Sequence, residues 1–178
     1  MRTELRLAGE GGQGLMTAAI IFAGAAAEYT DLNAIQTQSY GPESRGGSSK
    51  ADVIIADEDI DYPEVDHPHF VVVMAQEACD KFVPTVAKGG TVIVDSTYVG
   101  SVPEVDARVV KYPISAKARE LGREIVANIV ALGLLTGLSR LVPEEAVMKS
   151  LLKRIPKGTE ELNKKAFQAG LEAAKQVP

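Results

Sequence analysis

The sequence is poor in the side chains that bind metals and attack substrates: its 178 residues include one cysteine and two histidines. The lone Cys79 excludes a disulfide framework. Cys79, His67 and His69 together are too few ligands for a thiolate zinc site or an iron–sulfur cluster. No nucleophile with a neighbouring histidine base and no Walker loop is visible. We therefore predict that the chain holds no metal and does not carry out a complete reaction alone.

Positive charge and long apolar runs are also lacking. The net charge is −5 at pH 7. This argues against a nucleic-acid partner, because a protein that binds nucleic acid needs a basic face to neutralise the phosphates. No apolar run is long enough to span a bilayer, so no membrane partner is expected. Because Met1–Glu4 leads straight into an apolar strand, we expect no signal peptide and a cytoplasmic location. The length and a hydrophobic content of 46% suit a single globular domain over residues 1–178.

Glycine, in contrast, is concentrated near the start of the chain, where four of the six residues from Gly9 to Gly14 are glycine. An apolar strand precedes this stretch and an alanine-rich helical run over 15–28 follows it. The spacing satisfies the G-x-G-x-x-G pattern between a strand and a helix. Two interpretations remain open. The glycines either only permit a tight turn and close helix–strand packing, or they present free main-chain N–H groups and the helix dipole to an anion.

The next segment does not support a complete dinucleotide site. Such a site needs an acidic residue at the end of the second strand, where it binds the ribose hydroxyls. The predicted second strand, 33–38, ends in Ser39 and Tyr40 instead. Glu28 and Asp31 precede that strand and lie at its far end. A stand-alone nucleotide-binding or NAD-dependent protein is therefore the weaker alternative.

The rest of the chain alternates between strand-like and helix-like segments. No helix fits between the second strand and an apolar strand at 51–56, so we predict that these two strands run antiparallel. Further strands are predicted at 70–74, 91–94 and 107–112, and helices at 76–87, 115–139, 143–154 and 158–176. This order predicts a three-layer α/β sandwich with a Rossmann-like, mostly parallel sheet, one antiparallel pairing and extra C-terminal helices.

The second half of the predicted helix 115–139 is apolar almost all round and therefore needs cover on more than one side. Gly133 and Gly137 would allow another backbone to approach closely. We consider two interpretations: a core helix between the sheet and the terminal helices, or a subunit interface.

Three polar stretches, two of them glycine-rich, follow predicted strands and are expected to meet at the carboxyl edge of the sheet. They are Gly11–Gly14, Ser39–Gly47 and Asp95–Tyr98. Within the second, Arg45 supplies a planar cation that could bind a carboxylate or phosphate, and Glu43 could orient it. In the alternative interpretation, Glu43 and Arg45 form an exposed pair that contributes under about 1 kcal/mol.

Two stretches read together carry a family resemblance. Gly11 to Gly14 after the first strand, and Gln36 to Gly47 with the sequence QTQSYGPESRGG, resemble the gamma subunit of 2-oxoacid:ferredoxin oxidoreductases. Residues 48–57 and 91–96 and the overall length also fit, so the resemblance covers essentially the whole chain. The QTQSYGPE form and the short chain look most like the 2-oxoglutarate branch. Pyruvate, 2-oxoisovalerate and indolepyruvate enzymes carry related domains.

This resemblance implies a non-catalytic subunit of an enzyme that oxidatively decarboxylates a 2-oxoacid with coenzyme A, giving an acyl-CoA, carbon dioxide and reduced ferredoxin. It implies that thiamine diphosphate and Mg2+ are held by alpha and beta partner subunits. The iron–sulfur clusters are expected in beta or in a ferredoxin-like delta subunit, which agrees with the single cysteine here. The isolated chain is a candidate for self-association through surface meant for its partners. A ligand-sensing or scaffolding α/β module is the remaining alternative.

The resemblance also implies that the glycine turn and the loop after the second strand face the active site of the partner subunits and could guide coenzyme A, whose phosphates suit backbone N–H groups and an arginine. The residues expected to bind the anion are Gly11, Gly12, Gln13, Gly14 and Arg45. The residues expected to face the active site are Ser39, Tyr40, Gly41, Pro42, Glu43, Ser44, Gly46, Gly47, Asp95 and Ser96.

Overall fold

The computed structural model describes residues 1–40 and 47–178, with only the main chain described at Tyr40. Its strands form one mixed sheet in the order β2-β3-β1-β4-β5-β6. The strands are β1 Arg2–Glu10, β2 Asn33–Tyr40, β3 Ser48–Ala56, β4 Phe70–Val73, β5 Thr91–Asp95 and β6 Arg108–Tyr112. The helices are α1 Leu15–Tyr29, α2 Gln76–Phe82, α3 Ile114–Glu120, α4 Ala127–Ser139, α5 Glu144–Arg154 and α6 Glu160–Gln176. Two 3-10 turns, Val83–Thr85 and Glu124–Val126, follow α2 and precede α4.

β3 gives the sheet its mixed character. It pairs antiparallel with β2, as the short connection predicts, and it also pairs antiparallel with β1 on its other side. The remaining neighbours, β1 with β4, β4 with β5 and β5 with β6, are parallel. The single antiparallel strand therefore makes two antiparallel pairings instead of the predicted one. All the described strands except β3 consequently end at the same edge of the sheet, which we call the carboxyl edge.

Side chains alternate between the two faces of the sheet and form two apolar layers. On one face, Leu5 and Leu7 of β1 pack with buried residues of α1, α4, α5 and α6. On the other face, Ala8 packs with α2 and with the inner side chains of β4 and β5. Helices thus cover both faces, which confirms the predicted three-layer sandwich.

One buried ion pair lies within the second face. Arg6 of β1 and Asp52 of β3 are opposite each other in the register, and Arg6 Nε donates to Asp52 Oδ1 over 2.8 Å. Arg6 also donates to the carbonyl oxygen of Val65 and to the hydroxyl of Thr85. Because both charged groups are buried, these additional hydrogen bonds are needed to offset the loss of water.

The apolar helix α4 is a core helix, which confirms the first of the two interpretations. Every residue from Ala127 to Thr136 is buried within the chain itself. Its main chain touches α6 where Gly133 and Gly170 cross: a Cβ added to Gly133 would lie 2.8 Å from the Cα of Gly170. Two side-chain-free positions thus let the two helices approach closely.

The predicted continuous helix over 115–139 is wrong. The chain leaves α3 at Glu120, and Gly122 then adopts a φ of +126°, a conformation that a helix cannot contain. Arg123 is extended, and the chain re-enters helix through a 3-10 turn. Similarly, the predicted helix 76–87 ends at Phe82 and continues only as a 3-10 turn around Pro84, which lacks a main-chain N–H.

Candidate functional site

The glycine turn lies at the carboxyl edge, between the end of β1 and the start of α1. β1 extends to Glu10, so Gly9 belongs to the strand and the turn consists of Gly11 to Gly14. Gly12 and Gly14 have φ values of +90° and +76°, the left-handed region in which glycine avoids the strain of a side chain. The predicted strand–turn–helix arrangement is confirmed, with the turn shorter than the sequence pattern indicates.

Gln13 fixes this turn to the neighbouring strand. Its side-chain oxygen accepts a hydrogen bond from the main-chain N–H of Glu10 over 2.7 Å. Its side-chain nitrogen donates to the carbonyl oxygen of Met74, directly after β4, over 3.0 Å. A Cβ on Gly9 would overlap the oxygen of the Gln13 side chain, so glycine is needed there to make room. The Gln13 amide therefore holds the ends of two parallel strands and the turn in one arrangement.

Asn128 of α4 forms a hydrogen bond with the turn, a contact that was not predicted from the sequence. Its side-chain nitrogen donates to the carbonyl oxygen of Gly14 over 3.0 Å. A Cβ on Gly14 would lie 2.6 Å from that nitrogen, so the close approach requires glycine. The available signal was that Asn128 and Thr136 interrupt an otherwise apolar run with polar side chains, and a buried amide needs a hydrogen-bond partner.

A groove of about 550 Å³ extends from the glycine turn across the ends of β4 and β5. We call it the edge groove. Its lining comprises Glu10, Gly11, Gly12, Gln13, Met74, Ala75, Gln76, Glu77, Tyr98 and Glu124. At Gly11 and Gly12 a Cβ would meet no atom within 4 Å. The main chain of the turn is therefore open to a ligand at these two glycines.

Tyr98 and Glu124 form the far wall of the edge groove and belong to a hydrogen-bonded cluster with Arg119. The Tyr98 hydroxyl donates to Glu124 over 2.8 Å, and Arg119 pairs with Glu124 and contacts the Tyr98 hydroxyl. The Tyr98 hydrogen bond, and then Arg119, hold the pKa of the Glu124 carboxyl below its usual value. The same hydrogen bond raises the pKa of Tyr98. This wall thus presents a neutral phenol and a charge-compensated carboxylate, so a bound phosphate would depend on the turn and on other cations.

The two candidate residues at the end of β5, Asp95 and Ser96, differ in their exposure to solvent. Asp95 is fully buried. It therefore does not face the active site, contrary to the prediction from the sequence. Its carboxylate accepts from the hydroxyl of Ser115 over 2.6 Å and from the main-chain N–H groups of Thr97 and Ser115. Asp95 therefore fixes the start of α3 to the end of β5. Ser96 is exposed at the edge.

The stretch after the second strand is only partly within the described residues. Ser39 and Tyr40 belong to β2 and not to a loop, because their main chains pair with Lys50 and Ser49 of β3. Gly47 is half-buried directly before β3. Gly41, Pro42, Glu43, Ser44, Arg45 and Gly46 lie outside the described residues.

The topology argues against a dinucleotide site at the glycine turn. In the dinucleotide-binding fold the second strand lies beside the first and is parallel to it. Here antiparallel β3 occupies that place, so its amino end is at the carboxyl edge. Glu28, one of the two acids near the expected distance, instead forms ion pairs with Lys153 and Arg154 of α5.

The single cysteine is buried, and both histidines lie against main-chain atoms of other segments. The Cys79 thiol is buried, and burial, with a smaller contribution from Asp80, raises its pKa to about 11. His69 Nδ1 accepts the main-chain N–H of Glu4 over 2.9 Å, and His67 lies near the carbonyl oxygen of Thr85. Within residues 1–40 and 47–178, no three histidine, cysteine, aspartate or glutamate side chains are grouped so that they could hold a metal ion. None of the helices described here is both long and apolar enough to cross a bilayer.

Comparisons with known proteins agree on one family. Residues 4–173 match the family model described as pyruvate ferredoxin/flavodoxin oxidoreductase. The chain is 48% identical over 180 residues to 2-oxoglutarate synthase subunit KorC of Methanocaldococcus jannaschii, covering 99% of this chain and 96% of that one. It also superimposes with a TM-score of 0.92 on the gamma subunit of a keto/oxoacid ferredoxin oxidoreductase from Geobacter sulfurreducens. The identity there is 43%, with 99% of this chain and 98% of the other covered.

The same fold occurs inside a longer chain. A TM-score of 0.88 relates this chain to the 2-oxoglutarate:ferredoxin oxidoreductase of Magnetococcus marinus, whose structure contains 2-oxoglutarate, coenzyme A and succinyl-CoA. The match covers 99% of this chain and 32% of the other. At 22% identity this likeness shows the fold alone.

Proposed function

This chain belongs to the pyruvate ferredoxin/flavodoxin oxidoreductase family, and we propose that it is the single-domain gamma subunit of a 2-oxoglutarate:ferredoxin oxidoreductase. The observation that carries the proposal is the 48% identity to a 2-oxoglutarate synthase subunit along nearly the full length of both chains. The reaction of such a complex converts 2-oxoglutarate and coenzyme A to succinyl-CoA and carbon dioxide and reduces ferredoxin.

In this proposal alpha and beta subunits, with a delta subunit where one is present, supply the catalytic groups in the cytoplasm. Thiamine diphosphate, Mg2+ and iron–sulfur clusters belong to those partners. The positions of the reactive side chains of this chain support that division, because the Cys79 thiol is buried and His69 accepts a main-chain hydrogen bond. The contribution of the gamma subunit is then to enclose the active site and to bind a co-substrate.

The glycine turn is the part of the chain that we assign to coenzyme A. Coenzyme A supplies the thiol that accepts the acyl group, and its phosphates are anions that suit main-chain N–H groups at a helix start. Gly11 and Gly12 leave the turn open, and Gln13 and Asn128 hold its shape. The edge groove of about 550 Å³ has the volume of a small-molecule site, which is typically about 300–1,000 Å³.

The end of β2 and the segment that follows it complete the proposed site. Arg45 would pair with a phosphate, and Ser39 to Gly47 together with Ser96 would face the partner subunits. The direction of the strands supports this arrangement, because β1, β2 and β5 all end at the carboxyl edge.

Reconstitution tests the subunit assignment. The chain is co-expressed with candidate alpha and beta subunits, and the purified complex is assayed for reduction of a viologen dye that depends on 2-oxoglutarate and coenzyme A. We expect activity that is lost when this chain is omitted. Activity with pyruvate or 2-oxoisovalerate in place of 2-oxoglutarate would retain the family and change the substrate. A chain that neither joins a complex nor affects activity would instead favour a separate ligand-binding module.

The role of Arg45 is tested in the assembled enzyme. Loss of one charge-assisted hydrogen bond costs about 1.5–3 kcal/mol, so Arg45→Ala should raise the KM for coenzyme A by roughly 10- to 150-fold. The KM for 2-oxoglutarate should change little. Arg108→Ala is the control, because Arg108 begins β6 at the opposite edge of the sheet and its guanidinium donates to the carbonyl oxygen of Pro178. An unchanged KM for coenzyme A in Arg45→Ala would remove Arg45 from the site.

A further inference from the structure

Ile125 is the most exposed large hydrophobic side chain among the described residues, with 69% of its surface accessible. It lies in the 3-10 turn that follows the extended Arg123 and leads into α4. Ile125 lines two adjoining cavities. One of about 120 Å³ reaches Gly12 and Gln13 of the glycine turn, and the other lies between α1, α4 and the connection from α5 to α6.

The second cavity, which we call the apolar cavity, has a volume of about 200 Å³. Its aliphatic lining is Ile125, Val126, Ile129, Ile155, Pro156 and Leu162. This volume is smaller than the roughly 300–1,000 Å³ typical of small-molecule sites. The apolar cavity therefore suits one or two apolar side chains from another polypeptide better than a cofactor.

The charged residues around the apolar cavity indicate which second group the other polypeptide would provide. Arg123 lines the apolar cavity, and in the part of the chain that the structure describes its guanidinium forms no ion pair. The neighbouring carboxylates are already matched, because Glu124 pairs with Arg119 and Glu120 lies near Lys117. The other arginine of the cavity, Arg154, pairs with Glu28. Among the described residues Arg123 is therefore the cation of this cavity that is available to a carboxylate from another chain.

A second copy of this chain does not provide the match. A two-fold dimer places the same patch of both copies face to face, so the Arg123 side chains would approach each other. The nearby Glu120 and Glu124 are occupied by cations of their own chain. The electrostatics thus favour a different partner with a complementary charge.

We propose that Ile125, the apolar cavity and Arg123 form the docking site for a partner subunit, which contributes an apolar side chain next to a carboxylate. This inference rests on the proposed function and adds the surface through which the gamma subunit joins its complex. Thr17 and Asn128 also line the apolar cavity, and Asn128 holds the carbonyl oxygen of Gly14. A partner seated here would therefore contact the same residue that supports the glycine turn.

The test measures binding of the purified chain to the co-expressed alpha–beta subcomplex by isothermal titration calorimetry. Ile125→Asp should raise the Kd by about 30-fold or more, as expected when a central interface anchor is lost, and Ile125→Ala by about tenfold. Arg123→Glu should raise the Kd by about tenfold. The Kd of this variant should also depend less on salt concentration than the wild-type Kd, because the attraction between opposite charges is lost. Thermal melts should show that each variant folds, because both positions are exposed.

Tyr62→Ala is the matched control, because Tyr62 is 53% exposed and lies in the connection before β4, at the opposite edge of the sheet. Its Kd should stay within about twofold of the wild-type value, as for truncations outside the few dominant contacts. If the wild-type chain binds the subcomplex and Ile125→Asp binds equally well, the docking site is refuted and the subunit assignment stands. If the wild-type chain does not bind at all, both fail. If the wild-type chain is a dimer that Ile125→Asp converts to monomers, the occupant is a second copy and the proposal is overturned.

Discussion

Replacing Gly170 by alanine tests whether α4 and α6 touch through their main chains. The added Cβ would lie 2.7 Å from the Cα of Gly133 and 2.8 Å from the main-chain nitrogen of Leu134, with the carbonyl oxygen of Val130 closer still. An ordinary carbon contact is about 3.5–4.0 Å. All three groups belong to the main chain of α4, which cannot rotate away, so the two helices would have to move apart.

The expected magnitude follows from two opposing contributions. Overpacking a well-packed core costs about 1–3 kcal/mol, and contacts with a rigid main chain place this substitution near the upper value. Alanine in a helix recovers about 1 kcal/mol relative to glycine. The net loss in the free energy of unfolding should therefore be about 2 kcal/mol, equivalent to a fall of about 4–8 °C in Tm for a chain of this size.

Urea unfolding followed by circular dichroism measures this loss, with Gly24→Ala in α1 as the control. A Cβ at Gly24 would meet only the guanidinium of Arg154, the mobile end of a flexible side chain. Gly24→Ala should therefore be as stable as the wild type or slightly more stable. If Gly170→Ala were equally stable, or if both variants lost the same amount, the close crossing of α4 and α6 would be incorrect.

Three further predictions concern charged and ionisable groups. Burial raises the pKa of the Cys79 thiol to about 11. Iodoacetamide at pH 8 should therefore alkylate Cys79 after unfolding but not in the folded chain, as measured by mass spectrometry. Rapid labelling of the folded chain would contradict this. Asp52→Ala leaves the buried Arg6 guanidinium without its carboxylate and should lower the free energy of unfolding, measured with urea, by about 3–5 kcal/mol. The double variant Arg6→Leu/Asp52→Leu should lose much less, and equal losses in the two variants would refute the pairing. Hydrogen bonds from two basic side chains of α5 lower the pKa of Glu28 below 4.5, so its stabilising effect is present above pH 4.5 and is lost as the pH falls through the lower folded-state pKa. Wild type should therefore lose more stability between pH 7 and pH 3 than Glu28→Gln, and an equal loss in urea midpoints would show that the pairing does not stabilise the fold.

The parts of the fold that were predictable follow from local patterns. The glycines between an apolar strand and an alanine-rich run indicate the turn before α1, and the lack of a helix between β2 and β3 indicates their antiparallel pairing. The all-round apolar sequence of α4 correctly indicates a core helix. In each case the determining residues are close together in sequence.

The parts that were not predictable depend on distant contacts. The insertion of β3 between β2 and β1 depends on which edge of the hairpin pairs with β1, and the strand patterns allow either. Gly122 costs a helix only about 1 kcal/mol, so its presence does not determine that the helix breaks there. Asp95 resembles a loop residue because it follows a strand, and only its hydrogen bonds to Ser115 show that it is structural.

The candidate site shows the same division. The position of the glycine turn was predicted from the residues themselves. The hydrogen bonds of Gln13 to Met74 and of Asn128 to Gly14 join segments that are remote in sequence, and one sequence does not reveal which remote amide reaches which carbonyl. The sequence pattern also placed Gly9 in the turn, whereas hydrogen bonding extends β1 through it.

The antiparallel half of the sheet has a consequence for synthesis on the ribosome. β1, β2 and β3 lie within the first 56 residues, and they form three adjacent strands of the sheet. This nascent portion also contains α1, whose apolar side packs on the same strands. The parallel pairing of β1 cannot start until Phe70–Val73 has emerged. We expect the antiparallel half to form first and to serve as the template on which β4, β5 and β6 are added in the order of translation.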